Sequence, residues 1–425
     1  GASTQWRGTP PDPTFPTPPG TTPAMMLQHT LSMRPSTITE HRTCKRASIT
    51  LPVVTHRACG KSLSLPAQTR AVSRRSLRVR SSIEKQDFAT RPSVESAIQS
   101  SLNNCLVETD LQMGTKTNGK VRDFYDLGDM LVLITTDRQS AFDRLLATVP
   151  FKGQVLNQTS AWWFANSTHI VPNAVLATPD PNVTIMKKLE VIPVEMVVRG
   201  FMTGSTETSL WTHYKNGSRN YTGNILSDGM VKNQRLPKNI ITPTTKGVVD
   251  VPISATEIVE QGLMSQAEWD GVSKAAMELF EFGQAEAAKR GLILVDTKYE
   301  FGRDGQGNFY IIDEVHTPDS SRYWVMGSYE ERQAKGMEPE NIDKEFLRLW
   351  FRDNCDPYND ATLPDAPAEL VSELSRRYIR LYETITGTEF VPAGSPSESP
   401  AERIRRNVTE SLKEIKAMQQ ISGTA

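Results

Sequence analysis

The run at 292–303, LILVDTKYEFGR, constrains this chain more than any other stretch. Four consecutive apolar residues ask for burial on both sides, and the residues after them alternate charged with uncharged side chains. A strand sends successive side chains to opposite faces. Asp296, Lys298 and Glu300 therefore share one face, and Thr297, Tyr299 and Phe301 share the other. The return run at 308–314, NFYIIDE, follows a tight turn around Asp304-Gly305-Gln306-Gly307. A register that sets Phe301 against Tyr310 opposes Lys298 to Asp313 and gathers Lys298, Glu300 and Asp313. A slip of one residue breaks that grouping. Three charges do not enter a core unpaired. Two carboxylates around a lysine suit a Mg²⁺-phosphate site, because Mg²⁺ takes one or two carboxylates and completes its shell with phosphate oxygens and water. A solvated, salt-bridged hairpin is the competing account. Gly302, Gly305 and Gly307 are turn signals here, since a dinucleotide fingerprint must open a helix.

Elsewhere the pattern mixes strands and helices. Residues 116–136 predict paired strands broken at Asn118-Gly119 and Gly128-Asp129, and residues 183–201 predict strands interrupted by Pro193. A helix is expected over 93–104 with Ser93 as its cap, and another opening at Gly204-Ser205 and running to Tyr214. Residues 265–290 give the clearest helix. Ser265 and Glu268 form a capping box, Val272, Ala276, Leu279, Gly283 and Ala287 recur at helical spacing, and Gly291 stops it. Further helices are expected over 341–353 and 368–386. A linker at 392–400 leads to an amphipathic helix over 401–418 with Ile404, Val408, Leu412 and Ile415 on one face. The order of elements implies a two-lobed α+β or α/β body, with a β-rich lobe at 93–192, an α/β lobe at 193–390 and a linker plus helix at 391–425.

Composition divides the chain before the fold begins. The 425 residues carry 48 basic and 49 acidic side chains, a net charge of -1 that gives no electrostatic case for nucleic-acid binding. Residues 1–83 alone hold twelve Lys/Arg against Asp12 and Glu40. Segment 1–85 is thus read as a disordered transit or leader segment, Arg- and Ser-rich and poor in acids, with cleavage near 70–90. Residues 1–24, ahead of Met25-Met26, read as translated leader sequence. Of four cysteines only Cys105 and Cys355 lie outside this segment, so a reduced compartment is expected. No apolar run approaches the 18 residues of a membrane span.

Other polar clusters suit anions. Gly119-Lys120-Val121-Arg122 could lay two cations along a triphosphate, with Gly119 permitting close approach, although an exposed basic strand would look the same. Arg199, six residues before Ser205, suits capture of a carboxylate or phosphate. The loops 317–322 (TPDSSR) and 137–143 (DRQSAFD) offer Asp319, Arg322, Ser140 and Asp143. The three histidines beyond the N-terminal segment, His169, His213 and His316, have no metal-binding spacing, and no Ser-His-Asp or Cys-His set is evident.

Taken together, the stretches VIPVEMVVR with TGS (191–199, 203–205), LVDTKYEFG (294–302), GKVRDFY, TTDRQSAFD, ITPTTK and DEVHTPDSSRYW resemble the SAICAR synthetase family, in order and over about 103–390. The resemblance implies an ATP-dependent, amide-forming ligase of purine biosynthesis. It would join L-aspartate to the carboxylate of carboxyaminoimidazole ribonucleotide through an acyl phosphate, releasing ADP and phosphate. It implies a β-rich N-terminal lobe, an α/β C-terminal lobe and ATP between them. Lys120, Arg122 and Gly119 would hold ATP phosphates, Glu300 and Asp313 would carry Mg²⁺, and Lys298 would neutralise the transferring phosphoryl group. Arg199, Ser205, Arg322 and Asp319 would bind the ribonucleotide. Lys246 and Asp250 would approach its imidazole and carboxylate, and Ser140 and Asp143 would serve the aspartate or nucleotide pocket. The backbone near Glu195 would face the adenine. A monomer or homodimer imported into the plastid stroma is expected, with the mitochondrion as second choice. A small-molecule kinase is the alternative. It would need the HRDxxxxN and DFG motifs, which are missing from the sequence, and its ADP release would not depend on L-aspartate.

Overall fold

Side-chain alternation sorts the first half of the chain into a sheet with two unlike faces. The computed structural model describes residues 90–422 apart from 143, 207, 248–249, 343 and 395–397. The transit reading of 1–85 and the role given to Asp143 fall outside the described residues. Helix α1 (Pro92–Ser101) precedes β1 (Thr115–Asn118), β2 (Arg122–Asp126) and β3 (Met130–Thr135). A ribbon of β4 (Arg138–Ala141) and β5 (Arg144–Thr148), helix α2 (Lys152–Asn166), β6 (Val175–Asp180) and β7 (Val183–Lys187) follow. The five-stranded antiparallel sheet runs β1-β2-β3-β7-β6. One of its faces carries Tyr125, Val132, Ile134, Val183 and Ile185. The alternate residues Phe124, Leu131, Leu133 and Met186 point toward the second lobe, where they join its core or line a cavity.

The second sheet is built on β14 (Leu292–Arg303). It pairs with β8 (Glu190–Val191), β9 (Val194–Phe201), β15 (Phe309–Ile312) and β16 (Ser321–Val325), and β9 also carries β12 (Arg235–Ile241) and β13 (Thr244–Thr245). Between β9 and β12 lie α3 (Leu210–Lys215) and the small ribbon β10 (Asn220–Tyr221) and β11 (Asn224–Ile225). Helix α4 (Ala255–Glu260) leads into α5 (Gln266–Ala288), whose Ser265–Glu268 capping box forms as expected. Its buried stripe of Val272, Ala276, Leu279, Gly283 and Ala287 covers the Thr297/Tyr299 face of β14. The charged face of β14 is thereby left to the cleft. Because opposed residues share a face, the pairs Asp296↔Arg199 and Lys298↔Val197 bring β9 side chains onto that face.

Helices α6 (Met326–Ala334), α7 (Glu345–Asn354), α8 (Ala368–Thr386) and α9 (Pro400–Ser422) complete the chain. Val94 and Ile98 of α1 pack with Val155 of α2, Phe351 of α7 and Tyr378 of α8, so the segment preceding the first sheet rests on helices from the end of the chain. Helix α9 lies on the outer face of the first sheet. Ile404 and Val408 are buried there, and Arg403 donates to Asp180 at 2.9 and 3.1 Å.

Three local expectations need correction. The cap of α1 is Arg91, with Pro92 at the first helical position where its missing N–H costs nothing, and Ser93 lies inside the helix. The helix expected at Gly204-Ser205 begins at Leu210 and is capped by Ser209, whose hydroxyl accepts from the Thr212 N–H. Gly204 sits at φ 113, and a Cβ there would lie 2.3 Å from that of Ser209, so the chain folds back as a loop first. The third correction is the hairpin register: Phe301 pairs with Ile311 and Glu300 with Ile312, one residue from the expected alignment.

Candidate active site

The register shift alone would send Asp313 to the wrong face, but the strand ends at Ile312. Asp313 adopts φ 65, a left-handed conformation uncommon for a side chain with a Cβ, and the backbone swings its carboxylate back into the cleft. There Arg122, from β2 of the first sheet, donates to Asp313 Oδ1 at 2.6 Å and to Glu314 Oε2 at 2.6 Å. Burial opposes ionisation of Asp313, yet Arg122, Lys298 and Lys246 together hold its carboxyl below the usual range. Glu314, more dominated by burial, is pushed up.

On the charged face of β14, Lys298 donates to Glu195 at 2.7 Å and to Glu300 at 2.8 Å. Burial would lower the Lys298 ammonium, but Asp313 and Glu195 outweigh it and keep it raised. Glu300 also takes the ammonium of Lys246, a residue just after β13 whose backbone N–H donates to Pro193 O. Lys298, Glu300 and Asp313 thus do converge, and Lys246 and Arg122 converge with them.

These groups line the polar end of a cavity of about 510 Å³ between the two sheets. Its opposite end is apolar, formed by Phe124, Leu131, Leu133, Met186, Leu189 and Val191. Gly119, Lys120 and Ser140 also border it. The turn that carries Gly119 and Lys120 is pinned by Arg138, which donates to both of their carbonyls and to Asp123 Oδ1 at 2.8 Å. The Glu195 carboxylate accepts from Lys298, whereas Val191, at the other end of the 191–195 stretch, forms part of the apolar wall.

A second cavity of about 200 Å³ adjoins the first and is rich in cations. Arg199 and Arg322 flank the buried Asp296 at 3.8 and 2.5 Å, and Arg199 Nε donates to Thr242. Thr206, Thr208 and Ser209 form its hydroxyl rim. Ser205 and Asp250 border neither cavity: Ser205 is exposed and donates to Glu345 at 2.8 Å, and Asp250 is exposed near the end of the loop after β13. Lys298, Asp319, Ser320 and Lys344 belong to the walls of both cavities and mark where they meet. At this junction Asp319 accepts from Lys344 at 2.9 Å and from the fully buried Lys152 at 3.4 Å. Burial notwithstanding, these two cations hold the Asp319 carboxyl far below the usual range.

Sequence reasoning missed Lys152, Lys344, Glu314 and Arg138. Arg138 and Glu314 stand inside motifs that were singled out, and their charge next to apolar strands was a usable signal. Lys344 precedes an ordinary amphipathic helix, and nothing local marks it. Among the described residues no three His, Cys, Asp or Glu side chains group as a protein-only metal cage would require. The donors present are hard carboxylate oxygens, Glu300 and Asp313, already balanced by cations. Such a set fits a Mg²⁺ ion that draws its remaining ligands from phosphate and water.

A two-lobed α+β frame with two adjoining cavities, lined among the described residues by cations and carboxylates and by no histidine, suits phosphoryl chemistry that needs charge neutralisation rather than a protein nucleophile. The SAICAR synthetase family model matches residues 115–364, and the chain belongs to this family of purine-biosynthesis ligases. It is 58% identical over 366 residues to the chloroplastic phosphoribosylaminoimidazole-succinocarboxamide synthase of Arabidopsis thaliana, covering 84% of this chain and 88% of the relative. The chloroplastic enzyme of Vigna aconitifolia is 62% identical over 279 residues, covering 64% of this chain and 82% of the relative. Among solved structures, SAICAR synthase from Saccharomyces cerevisiae complexed with SAICAR superposes with a TM-score of 0.59 at 30% identity, covering 67% of this chain and 99% of that one.

Proposed function

We propose that ATP occupies the larger cavity and carboxyaminoimidazole ribonucleotide the smaller, and that the ribonucleotide carboxylate is phosphorylated where the two meet. One observation carries this reading: the two cavities share the walls formed by Lys298, Asp319, Ser320 and Lys344, so two ligands reach a single point. The apolar end suits a purine base. Lys120 and Arg122 approach the phosphates from the first sheet, and Lys298 and Lys246 from the second. Arg199 and Arg322, already holding Asp296 between them, suit the ribonucleotide phosphate, because a guanidinium binds phosphate bidentately. Glu300 and Asp313 would hold Mg²⁺, which supplies charge neutralisation of the triphosphate.

The ribonucleotide carboxylate oxygen attacks the γ-phosphorus, and the bond from that phosphorus to the ADP oxygen breaks. An acyl phosphate and ADP result. The ammonium of L-aspartate loses a proton to solvent, its nitrogen attacks the acyl carbon, the bond from that carbon to the phosphate oxygen breaks, and phosphate departs with the second amine proton, leaving the amide. Phosphoryl transfer asks for positioning and charge neutralisation rather than a protein nucleophile, which matches a site of lysines, arginines and carboxylates.

The test is an ADP-release assay on the full chain with ATP, L-aspartate and the ribonucleotide omitted in turn. Turnover that requires all three is expected. ADP release that ignores L-aspartate would favour a kinase and overturn the reading. The basic, acid-poor N-terminal sequence and two relatives named as chloroplastic support plastid import. Residues 1–90 fused to a fluorescent protein should direct it to plastids in plant cells, and accumulation in mitochondria would refute that destination.

A further inference from the structure

Four residues form the junction of the two cavities, and the reading above gives a chemical role only to Lys298. Lys344 borders both cavities as Lys298 does. Lys298 comes from the strand β14, whereas Lys344 comes from the residue that opens α7. Two ammonium groups on unrelated elements therefore reach the same small space.

What aims Lys344 is an arrangement with evident costs. Its Nζ donates to Asp319 Oδ1 at 2.9 Å. The other oxygen, Oδ2, accepts from Lys152 at 3.4 Å, and Tyr378 donates its hydroxyl to Oδ1 at 3.4 Å. Lys152 is completely buried and occupies the first position of α2, where the helix dipole disfavours a cation. The residue before it, Phe151, holds φ 62, a left-handed conformation that a bulky side chain adopts only under constraint. Burial lowers the Lys152 ammonium, with Asp319 acting against the shift. A buried cation, an opposed dipole and a strained backbone residue at one spot are the marks of a functional constraint rather than of packing.

We propose that Lys344 is a further catalytic residue, the partner of Lys298 across the phosphoryl-transfer point, and that Lys152 is a positioning residue that fixes Asp319 so that Asp319 aims Lys344. This rests on the assignment of ATP and the ribonucleotide to the two cavities. As the bond to the ADP oxygen breaks and the bond to the carboxylate oxygen forms, negative charge lies on the three non-bridging oxygens of the phosphoryl group. Lys298 meets it from one wall and Lys344 from the other. No proton is transferred at this step, so no proton acceptor is required. Asp319, held between two lysines, is a fixed counter-charge and not a base.

The experiment compares Lys344→Met, Lys344→Arg, Lys152→Met and the double variant Lys152→Met/Lys344→Met with the full-length chain. Steady-state kinetics, thermal unfolding and calorimetric binding of ADP are read for each. Lys344→Met should lower kcat by about a hundredfold or more, with KM for each substrate and the ADP affinity within about threefold. Lys344→Arg should recover part of the loss. Lys152→Met should lower kcat less, and the double variant should match Lys344→Met, because a residue acting through another adds nothing once that one is gone. A Lys344→Met enzyme with kcat within threefold of wild type, or one impaired only through KM, overturns the catalytic role. Losses that multiply in the double variant overturn the positioning role. If Lys344→Met fails to fold, Lys344→Arg and Lys152→Met carry the test through kcat against unchanged melting temperature. Failure of the substrate assignment is recognised separately, because the wild-type chain itself would then lack aspartate-dependent ADP release.

Discussion

Arg122 and Asp313 face each other across the cleft at 2.6 Å, one from the first sheet and the other from the end of β15 in the second. The cation expected to hold phosphate is bound to a carboxylate expected to hold metal. Lys246 and Lys298 stand in the same relation to Glu300. These cations and carboxylates neutralise one another in pairs, and metal and triphosphate together can replace the pairs without leaving a buried charge alone.

That exchange predicts cooperative binding. In calorimetry Mg²⁺ alone and ADP alone should each bind weakly, and each should strengthen the other by about tenfold, equivalent to about 1.4 kcal/mol of coupling. Arg122→Met should reduce the coupling. Independent binding of the two in the wild-type protein would contradict the exchange.

On the proposed metal role, Glu300→Gln and Asp313→Asn should each lose on the order of a thousandfold in kcat, the loss expected when several kcal/mol of transition-state stabilisation are removed. Circular dichroism and melting should show the fold retained. Near wild-type turnover at saturating Mg²⁺ in either variant would rule out its metal role.

Helix α9 should stabilise without catalysing. Asp180 is almost wholly buried and takes two hydrogen bonds from Arg403. Arg403→Met takes the guanidinium away from that carboxylate, leaving it the Asn407 amide and the Asn182 N–H, and should cost about 3 kcal/mol, seen as a lowered melting temperature with kcat unchanged in the folded fraction. Val408→Asp, which places a charge against Val132 and Ile185, should act in the same direction.

His316 gives a pH signature. Burial lowers its imidazole to about 3 from an ordinary 6.5, so it is neutral in the folded protein. Below pH 6.5 the unfolded chain binds the extra proton, and stability falls as pH drops toward 3 by about 1.4 kcal/mol per pH unit. Asp137 works oppositely: burial raises it from 3.8 to about 6, so its contribution grows as pH falls between those two values. Within that narrower window it offsets part of the His316 loss. The stability of wild type minus that of His316→Phe should therefore decline steeply between pH 6.5 and 3 in denaturant titrations. A parallel pair of curves would show the ring to be solvated.

Much of the site was legible because strand periodicity is local. The charged face of β14 could be counted from alternation alone, and so could the capping box of α5. The register of the hairpin could not. It depends on where β15 ends, and the left-handed turn at Asp313 both shifts the pairing and restores the carboxylate to the cleft. The sequence around Ser205 predicts a helix opening there, but Gly204 turns the chain before any helix starts, leaving Ser205 on the surface beside Glu345. Lys152 and Lys344 stayed hidden for another reason: their meaning lies in Asp319, 167 and 25 residues away in sequence, and no local pattern encodes that distance.

The docking of α9 has a consequence for biosynthesis. A ribosome makes residues 122–134 long before it makes Ile404 and Val408, which cover them. Until α9 emerges, one side of the early sheet is a bare oily surface, and every product terminated before it keeps it so. Quality-control factors that bind such surfaces can therefore tell a polypeptide that has reached α9 from one that has not.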